Sequence, residues 1–377
     1  MAKSRILLTG GGSGGHVYPL WAVAESLRDK LPEVDLHYLG PTDEFSSILS
    51  EKGVKTHSIL SSKLRRYAAG ILENLIDVPR FFIALIQALF KIYLLMPDVV
   101  FSKGGPGAFA TVLAARFYRI PVVIHESDSI PGLTNIFSRP FAKYIAVSFP
   151  DAQRYFPAKK TFLTGQPIRK ELFANVPRQD IAKQELRFDP NKPLILILGS
   201  SQGSARINEF TVVNLKDILR VGQVLHQTGN ANFKATKEIS QVALRQLPAE
   251  LAAQTRYLPV PFLYEDMKRA LSAADVVVSR ASSTIMEIAG FGKPAILIPL
   301  KESANDHQRG NAYAFAKAGG GVVIEEPNLL PVIFLNELKK IVEHNETREK
   351  MSQASGAFFK PNGADNVADL IISLVKP

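Results

Sequence analysis

Two glycine-rich turns, each set between a short apolar run and a helical pattern, constrain this sequence more than any other feature in it. The first, Gly10-Gly11-Gly12-Ser13-Gly14-Gly15, follows the run 5–9 and precedes a helical pattern over 18–30; the second, Gly199-Ser200-Ser201-Gln202-Gly203, follows 194–198. Strings of glycine are costly unless the backbone must turn tightly or approach a ligand closely. A strand that runs through such a turn into a helix aims main-chain N–H groups at an anion. The first turn formally fits the dinucleotide fingerprint Gly10-x-Gly12-x-x-Gly15. A nicotinamide site also needs an acid closing the second strand, and here that strand ends Tyr38-Leu39-Gly40-Pro41, with Asp43 beyond the turn. No Lys-Ser/Thr pair follows the glycines, which excludes a P-loop.

Short apolar runs alternate with helical patterns along the whole chain, as in βα repeats around parallel sheets. Strands are expected at 5–9, 35–39, 56–60, 99–102, 122–125 and 144–147. A polar, proline-punctuated linker from Gln166-Pro167-Ile168-Arg169 to Asp189-Pro190-Asn191-Lys192-Pro193 then leads to strands at 194–198, 223–226, 275–279, 295–299 and 321–324. With 377 residues, 46% of them hydrophobic, the chain has material for two cores. The expected architecture is α/β: two Rossmann-like, doubly wound parallel-sheet domains, 1–168 and 169–360, facing across a cleft, with ligands at the C-terminal strand edges.

Charge is unevenly placed. Lys and Arg number 45 against 35 Asp and Glu; residues 1–170 carry 21 basic and 13 acidic residues, and 171–377 carry 24 and 22, so the excess of +10 divides into +8 and +2. A one-sided positive field calls for an anionic partner: nucleic acid, an acidic lipid surface or a phosphorylated substrate. Nucleic acid has no support, since no recognition module is present and no Lys/Arg run exceeds two. The stretch 64–95 instead mixes Arg65, Arg66, Arg80 and Lys91 with Phe81, Phe82, Ile86 and Phe90, and Arg116-Phe117-Tyr118-Arg119 repeats the mixture. Part of this is core-facing helix; an apolar patch ringed by basic residues also suits contact with an anionic leaflet. The apolar segment 81–96 is short for a bilayer and contains Gln87 and Lys91, so a membrane span is not expected. Neither is a signal peptide. The absence of cysteine excludes disulfides, a thiolate nucleophile and Cys-ligated metals, and fits a reducing cytosol.

Candidate site residues cluster at expected strand ends. His16 follows the first glycine turn at a helix start, where the neutral, basic imidazole is favoured. Lys103-Gly104-Gly105-Pro106-Gly107 forms a second glycine turn after 99–102, and two such loops suit a diphosphate. His125-Glu126-Ser127-Asp128 ends the strand 122–125, with base, sugar contact and loop anchor all open as roles. In the second half the Gly199–Gly203 turn is followed by Ser204, which adds a hydroxyl to a phosphate cradle. Glu287, in an apolar helix pattern after Arg280-Ala281-Ser282-Ser283-Thr284, suits the two ribose hydroxyls, and Asp306-His307-Gln308-Arg309 suits a sugar. No Asp-x-Asp and no paired His spacing occurs, so metal-dependent chemistry is disfavoured.

In Thr9–His16, Ser102–Gly105, Ile120–Asp128, Pro131–Asn135, Gly165–Arg169, Gly199–Gly203, Ala274–Arg280, Thr284–Glu287 and Asp306–Ala312, taken in order, the sequence resembles the MurG glycosyltransferases of peptidoglycan synthesis. The resemblance implies a GT-B fold whose final helix, about 361–375 within the segment 361–377, crosses back onto the first domain. It implies an inverting, metal-independent transfer of N-acetylglucosamine from UDP-GlcNAc to the C4 hydroxyl of lipid I, undecaprenyl-diphosphate-MurNAc-pentapeptide, giving lipid II. No cofactor is implied. It further implies a peripheral position on the anionic inner leaflet, at the cytoplasmic face, and contact with other cell-wall synthesis proteins. Carried over by position, Ser13, Gly14, Gly15 and His16 lie at the reacting centre, facing the acceptor with Gly104 and Gly105. His16 is the first choice of base, with Glu126 and Asp128 as alternatives. Asp128 approaches the donor sugar; Arg169 and Ser201 hold the donor diphosphate; Tyr264 stands at a backbone contact to uracil; Gln202, Thr284 and Ile285 are further substrate-binding positions. Glu287 takes the ribose and Gln308 the sugar hydroxyls, while 72–90 carries the membrane patch. The chain departs from the family with Asp128 for a common Asn, with Pro106-Gly107-Ala108 for an aromatic-x-Ser, with Ser200 for Gly, and with a loop at Ala281–Ser283 one residue shorter. The rival readings are a GT-B transferase with another glycolipid acceptor and a non-catalytic UDP-sugar-binding protein.

Overall fold

The computed structural model describes residues 3–11, 14–42, 44–60, 71–105, 107–199, 203–254, 256–301 and 306–375. The chain divides into two compact units, Met1–Lys170 together with Lys360–Pro377, and Glu171–Phe359; these are the first and second domains below.

In the first domain β1 (Arg5–Thr9), β2 (Asp35–Gly40), β3 (Lys55–Ser58), β4 (Val99–Ser102), β5 (Val122–Glu126), β6 (Tyr144–Val147) and β7 (Thr161–Leu163) form a parallel sheet in the order β3-β2-β1-β4-β5-β6-β7. The Leu, Val and Ile of its central strands are buried, as helix-covered parallel strands require. The strand order reverses between β1 and β4, the switch point at which such sheets open for ligand. Thr9 pairs with Ser102 across it, so the turns that follow these two residues leave the sheet side by side. The second domain has β8 (Leu194–Leu198), β9 (Gln223–Gln227), β10 (Tyr257–Val260), β11 (Val276–Ser279), β12 (Ala295–Leu297) and β13 (Gly321–Val323) in the order β10-β9-β8-β11-β12-β13. Its switch point lies between β8 and β11, where Leu198 pairs with Ser279.

The structure adds two strands that the apolar runs do not show. β7 is three residues at a sheet edge, and β10 contains Pro259, which an edge strand tolerates because one side of its backbone lacks a partner strand. The first helix starts at Gly14, four residues before the expected start, and carries Pro19 inside it. The chain passes from one unit to the other inside the expected linker, between Lys170 and Glu171, but the rest of that segment is folded. It contains the helices Lys170–Phe173 and Gln179–Glu185. Gln179 donates to the Ala274 carbonyl at 3.1 Å, and the buried Lys183 ammonium pairs with Asp275 at 2.7 Å. The apolar segment expected to be too short for a bilayer belongs to a 25-residue helix, Ile71–Leu95. Its section Asp77–Leu95 is long and apolar enough to cross a membrane by length and composition. Yet Ala84, Ala88 and Ile92 are fully buried, so one face of this helix packs within its own domain. The last helix, Gly363–Ile372, packs on Gly14–Lys30 through Val367, Ala368 and Ile371.

Candidate active site

At the first domain's switch point three loops meet. Gly10 and Gly11 follow β1, Lys103 to Gly105 follow β4, and 127–135 follow β5. Tyr38 donates to the Gly10 carbonyl at 2.5 Å, and the Lys103 N–H donates to Thr9 at 2.9 Å. Gly105 has φ +89°, and a Cβ there would stand 2.7 Å from the Gly11 carbonyl and 3.2 Å from the His16 ring. Glycine is therefore required at 105, and the half-buried His16 imidazole lies directly against its backbone. Gly14 is buried and Gly15 exposed. Pro19 has no N–H to donate to the Gly15 carbonyl four residues back, which leaves that carbonyl without its helical partner.

Glu126 organises the third loop. Its carboxylate accepts from the Asp128 N–H at 3.0 Å, the Gly132 N–H at 3.0 Å and the Asn135 amide at 2.9 Å. That is the geometry of a loop anchor. Burial and then the charge of Asp128 push its carboxyl above the usual range, while Lys103 and its hydrogen bonds oppose the rise. Asp128 is only half-buried. Lys103 is 4% exposed; burial lowers its ammonium, and Glu126 and Asp128 act in the opposite direction. His125, fully buried beneath, is held well below the ordinary imidazole value by burial and then by Lys103. Its Nε2 meets the Gly165 carbonyl at 3.2 Å, and Gln166 is gripped by the hydroxyls of Ser127 and Ser148 at 2.7 and 2.8 Å. Arg169, which the expected boundary assigns to the second domain, belongs to the first. Its guanidinium lies 4.9 Å from the centre of the Tyr18 ring and 5.3 Å from that of Trp21.

The second domain repeats the plan. Gly203 has φ +82°, and its Cα presses so closely on the Thr228 carbonyl that a Cβ would fall 2.2 Å away. Ser204 caps the helix Ala205–Val213 by accepting from the Ile207 N–H. After β11, Arg280 is buried, and Ser282 and Thr284 hydroxyls meet at 3.2 Å. Thr284 and Glu287 are half-buried on the helix Thr284–Gly290, whereas Ile285 is fully buried and its N–H is bonded to Ser282. Of that expected pair only Thr284 therefore offers surface. Tyr264 is half-buried just after Leu263, whose N–H donates to Gln227 at 2.9 Å. Gln308 opens the helix His307–Lys317, and its Oε1 accepts from the Leu300 N–H at 2.9 Å. Ser13, Ser201 and Gln202 lie outside the described residues, as do Gly12, Arg65, Arg66, Pro106 and Ser200. Among the described residues no group of three or more His, Asp or Glu is placed to hold a metal ion.

The glycosyltransferase family 28 N-terminal domain matches residues 6–147, and the glycosyltransferase family 28 C-terminal domain matches residues 194–367. A UDP-N-acetylglucosamine--N-acetylmuramyl-(pentapeptide) pyrophosphoryl-undecaprenol N-acetylglucosamine transferase of Clostridium tetani is 35% identical, covering 98% of either chain. One from Thermodesulfovibrio yellowstonii is 31% identical over 99% of both. The crystal structure of Acinetobacter baumannii MurG superposes with a TM-score of 0.75 at 27% identity, over 98% of this chain and 99% of that one. The chain belongs to the MurG family. Its two parallel-sheet domains are those of a GT-B glycosyltransferase, and a kitacinnamycin glycotransferase, 14% identical with a TM-score of 0.74, shares that fold over the full length of both chains. The glycine turns at both switch points, and the place of Glu287 on an apolar helix after β11, were legible in the sequence. Arg280 and Asn135 entered only as motif letters; their partners lie in other loops and give no local signal.

Proposed function

We propose that this chain transfers N-acetylglucosamine from UDP-GlcNAc to the C4 hydroxyl of the muramyl sugar of lipid I, with inversion to a β-linkage, forming lipid II. The observation that carries this reading is kinship over nearly the whole chain to transferases named for this donor and acceptor. His16 is the base: it removes the acceptor hydroxyl proton as that oxygen attacks the anomeric carbon from the face opposite UDP. Its imidazole is set against Gly105 beside both glycine turns, so an acceptor whose diphosphate is held by those turns brings its sugar hydroxyl toward the base. Glu126, with three donors on its carboxylate, serves as anchor, and Asp128 on the loop it holds approaches the donor sugar. Without a metal, the negative charge gathering on the leaving UDP is met by Arg169, Ser201, Gln202 and the amides at the start of the helix Ala205–Val213. Glu287, Thr284, Tyr264 and Gln308 hold the nucleoside and sugar.

The chain works as a peripheral protein on an anionic inner leaflet. Phe82, Ile86, Phe90, Tyr93 and Leu94 of the helix Ile71–Leu95 are exposed on the face opposite its buried alanines, with Phe117 also exposed. Arg80 supplies exposed positive charge on the same helix, and Arg116 and Arg119 supply it on the helix Ala108–Phe117 and the turn that follows. A helix with one face in its own domain cannot be ringed by lipid, and contact through the other face suits it.

Radiolabelled UDP-GlcNAc supplied with lipid I in anionic vesicles tests the reading. Labelled lipid II is expected. Label passing only to another glycolipid favours a different acceptor, and donor binding with no turnover favours a binding protein. His16→Ala is expected to lower kcat by about 100-fold or more, in the range of a lost general base, with UDP affinity kept. Turnover near wild type in that variant removes His16 from the role.

A further inference from the structure

Ser204 closes the glycine turn after β8, is 7% exposed, and has an oxygen whose lone pairs are both taken. It accepts from the Ile207 N–H at 3.3 Å and from Arg280 Nη2 at 2.7 Å. A hydroxyl has two acceptor sites and one hydrogen. The hydrogen must therefore point away from both the helix and the guanidinium, and among the described residues it has no acceptor. Arg280 is itself fixed. It is 5% exposed, with Nη1 donating to the Ile298 carbonyl at 3.1 Å beyond β12 and Nη2 also donating to Glu326 at 2.8 Å beyond β13. Its planar fork thus joins the turn after β8 to the ends of β11, β12 and β13. The neighbouring Gly203 is itself pressed on the Thr228 carbonyl.

We infer that Arg280 is a positioning residue for the nucleotide sugar: by occupying one lone pair of Ser204, it turns that hydroxyl to donate its hydrogen to a diphosphate oxygen of the donor. The inference rests on the donor-site reading above and adds to it a specific donor, Ser204, and the group that aims it. A hydrogen bond to a charged oxygen is stronger than one between neutral groups, and it strengthens further as UDP leaves with more negative charge.

The test is titration of the full chain with UDP and, separately, with uridine, alongside initial rates of transfer. Ser204→Ala is expected to weaken UDP about 10-fold or more while uridine affinity holds, since uridine has no phosphate. Ser204→Thr keeps the hydroxyl and is expected to bind UDP within about 3-fold of the parent, a difference too small for a lost hydrogen bond. Arg280→Lys keeps a cation opposite Glu326, preserving the fold, yet is expected to weaken UDP; adding Ser204→Ala to it then costs much less than in the parent. The inference is overturned if Ser204→Ala binds UDP as the parent does, if it loses UDP and uridine equally, or if the two substitutions multiply independently. A parent chain that binds no UDP overturns the donor-site reading itself, before any variant is made.

Discussion

Glu126 illustrates how one buried side chain can be recognised in sequence while its role stays open among several. Its position at the end of a strand was legible; the three donors that occupy it come from Asp128, Gly132 and Asn135, whose approach depends on the turn of the whole loop. The same limit hid the contact of Arg280 with Ser204, 76 residues apart. Glu126→Gln replaces one of the two accepting oxygens by an NH₂ that faces at least one of these donors and is expected to cost about 1–3 kcal/mol, lowering Tm by several degrees and kcat more than donor affinity. An unchanged melting curve would falsify the anchoring role. His226 carries a second expectation. It is buried between Tyr257 and Asn208 at 2.9 and 3.0 Å, and burial pushes its imidazole down to about 3. Above the unfolded value near 6.5 neither state binds the proton. Below it the unfolded chain does and the folded chain does not, so stability falls as pH drops from about 6.5 toward about 3, by up to about 1.4 kcal/mol per pH unit. Denaturant titrations at several pH values should show a shallower fall for His226→Gln than for the parent, even if the variant starts lower.

Among the elements, the helix Ile71–Leu95 shows what periodicity conveys and what it omits. The apolar stripe with basic neighbours was readable from 64–95, but weighing only the segment 81–96 as a membrane span understated its length, since the helix continues back through Pro79 and Asp77. Sequence also could not say which side of the stripe is covered. The structure covers Ala84, Ala88 and Ile92 and leaves Phe90 at 63% exposure. Edge strands were illegible for a related reason: β7 and β10 have three and four residues, too few to stand out as a run, and pairing with a neighbour defines them. Replacing Phe82, Ile86 and Phe90 together by Ser removes exposed apolar area without touching the buried face. Binding to anionic vesicles, measured by co-sedimentation, is expected to fall by about 10-fold or more, because each aromatic or aliphatic side chain transferred from water contributes about 1.5–3 kcal/mol at full burial. The melting temperature should hold. Undiminished sedimentation would remove this helix from membrane contact.

At the scale of the molecule, the two domains differ in how the chain makes them. The second, Glu171–Phe359, is one uninterrupted segment with its own sheet and core; the first needs Lys360–Pro377 in addition to Met1–Lys170. The paired glycine turns showed two halves, but the return of the C-terminal helix left no trace beyond family resemblance, because its partner surface on Gly14–Lys30 lies more than 300 residues away in sequence. Asn366 donates to the Thr164 carbonyl at 2.9 Å, and Lys170 pairs with Asp365 at 3.2 Å, so the returning segment is joined to the first domain by polar bonds as well as by Val367 and Ile371. A fragment of residues 171–359 is therefore expected to fold alone, with a cooperative melt, and to bind UDP, since the turn after β8 and the helix Thr284–Gly290 lie within it. A fragment of residues 1–170 should be marginal, having lost the burial of Val367 and Ile371, each worth about 1.5–3 kcal/mol. Fusing 360–377 to that fragment through a flexible linker should restore its melt. If the shorter fragment melts as the fused one does, the returning helix is an ornament on the first domain rather than part of its core. Because the net +8 of residues 1–170 stays with the fused fragment, vesicle binding should follow it, while UDP binding follows 171–359; exchange of the two properties would undo the division of labour between a lipid-facing and a nucleotide-holding domain.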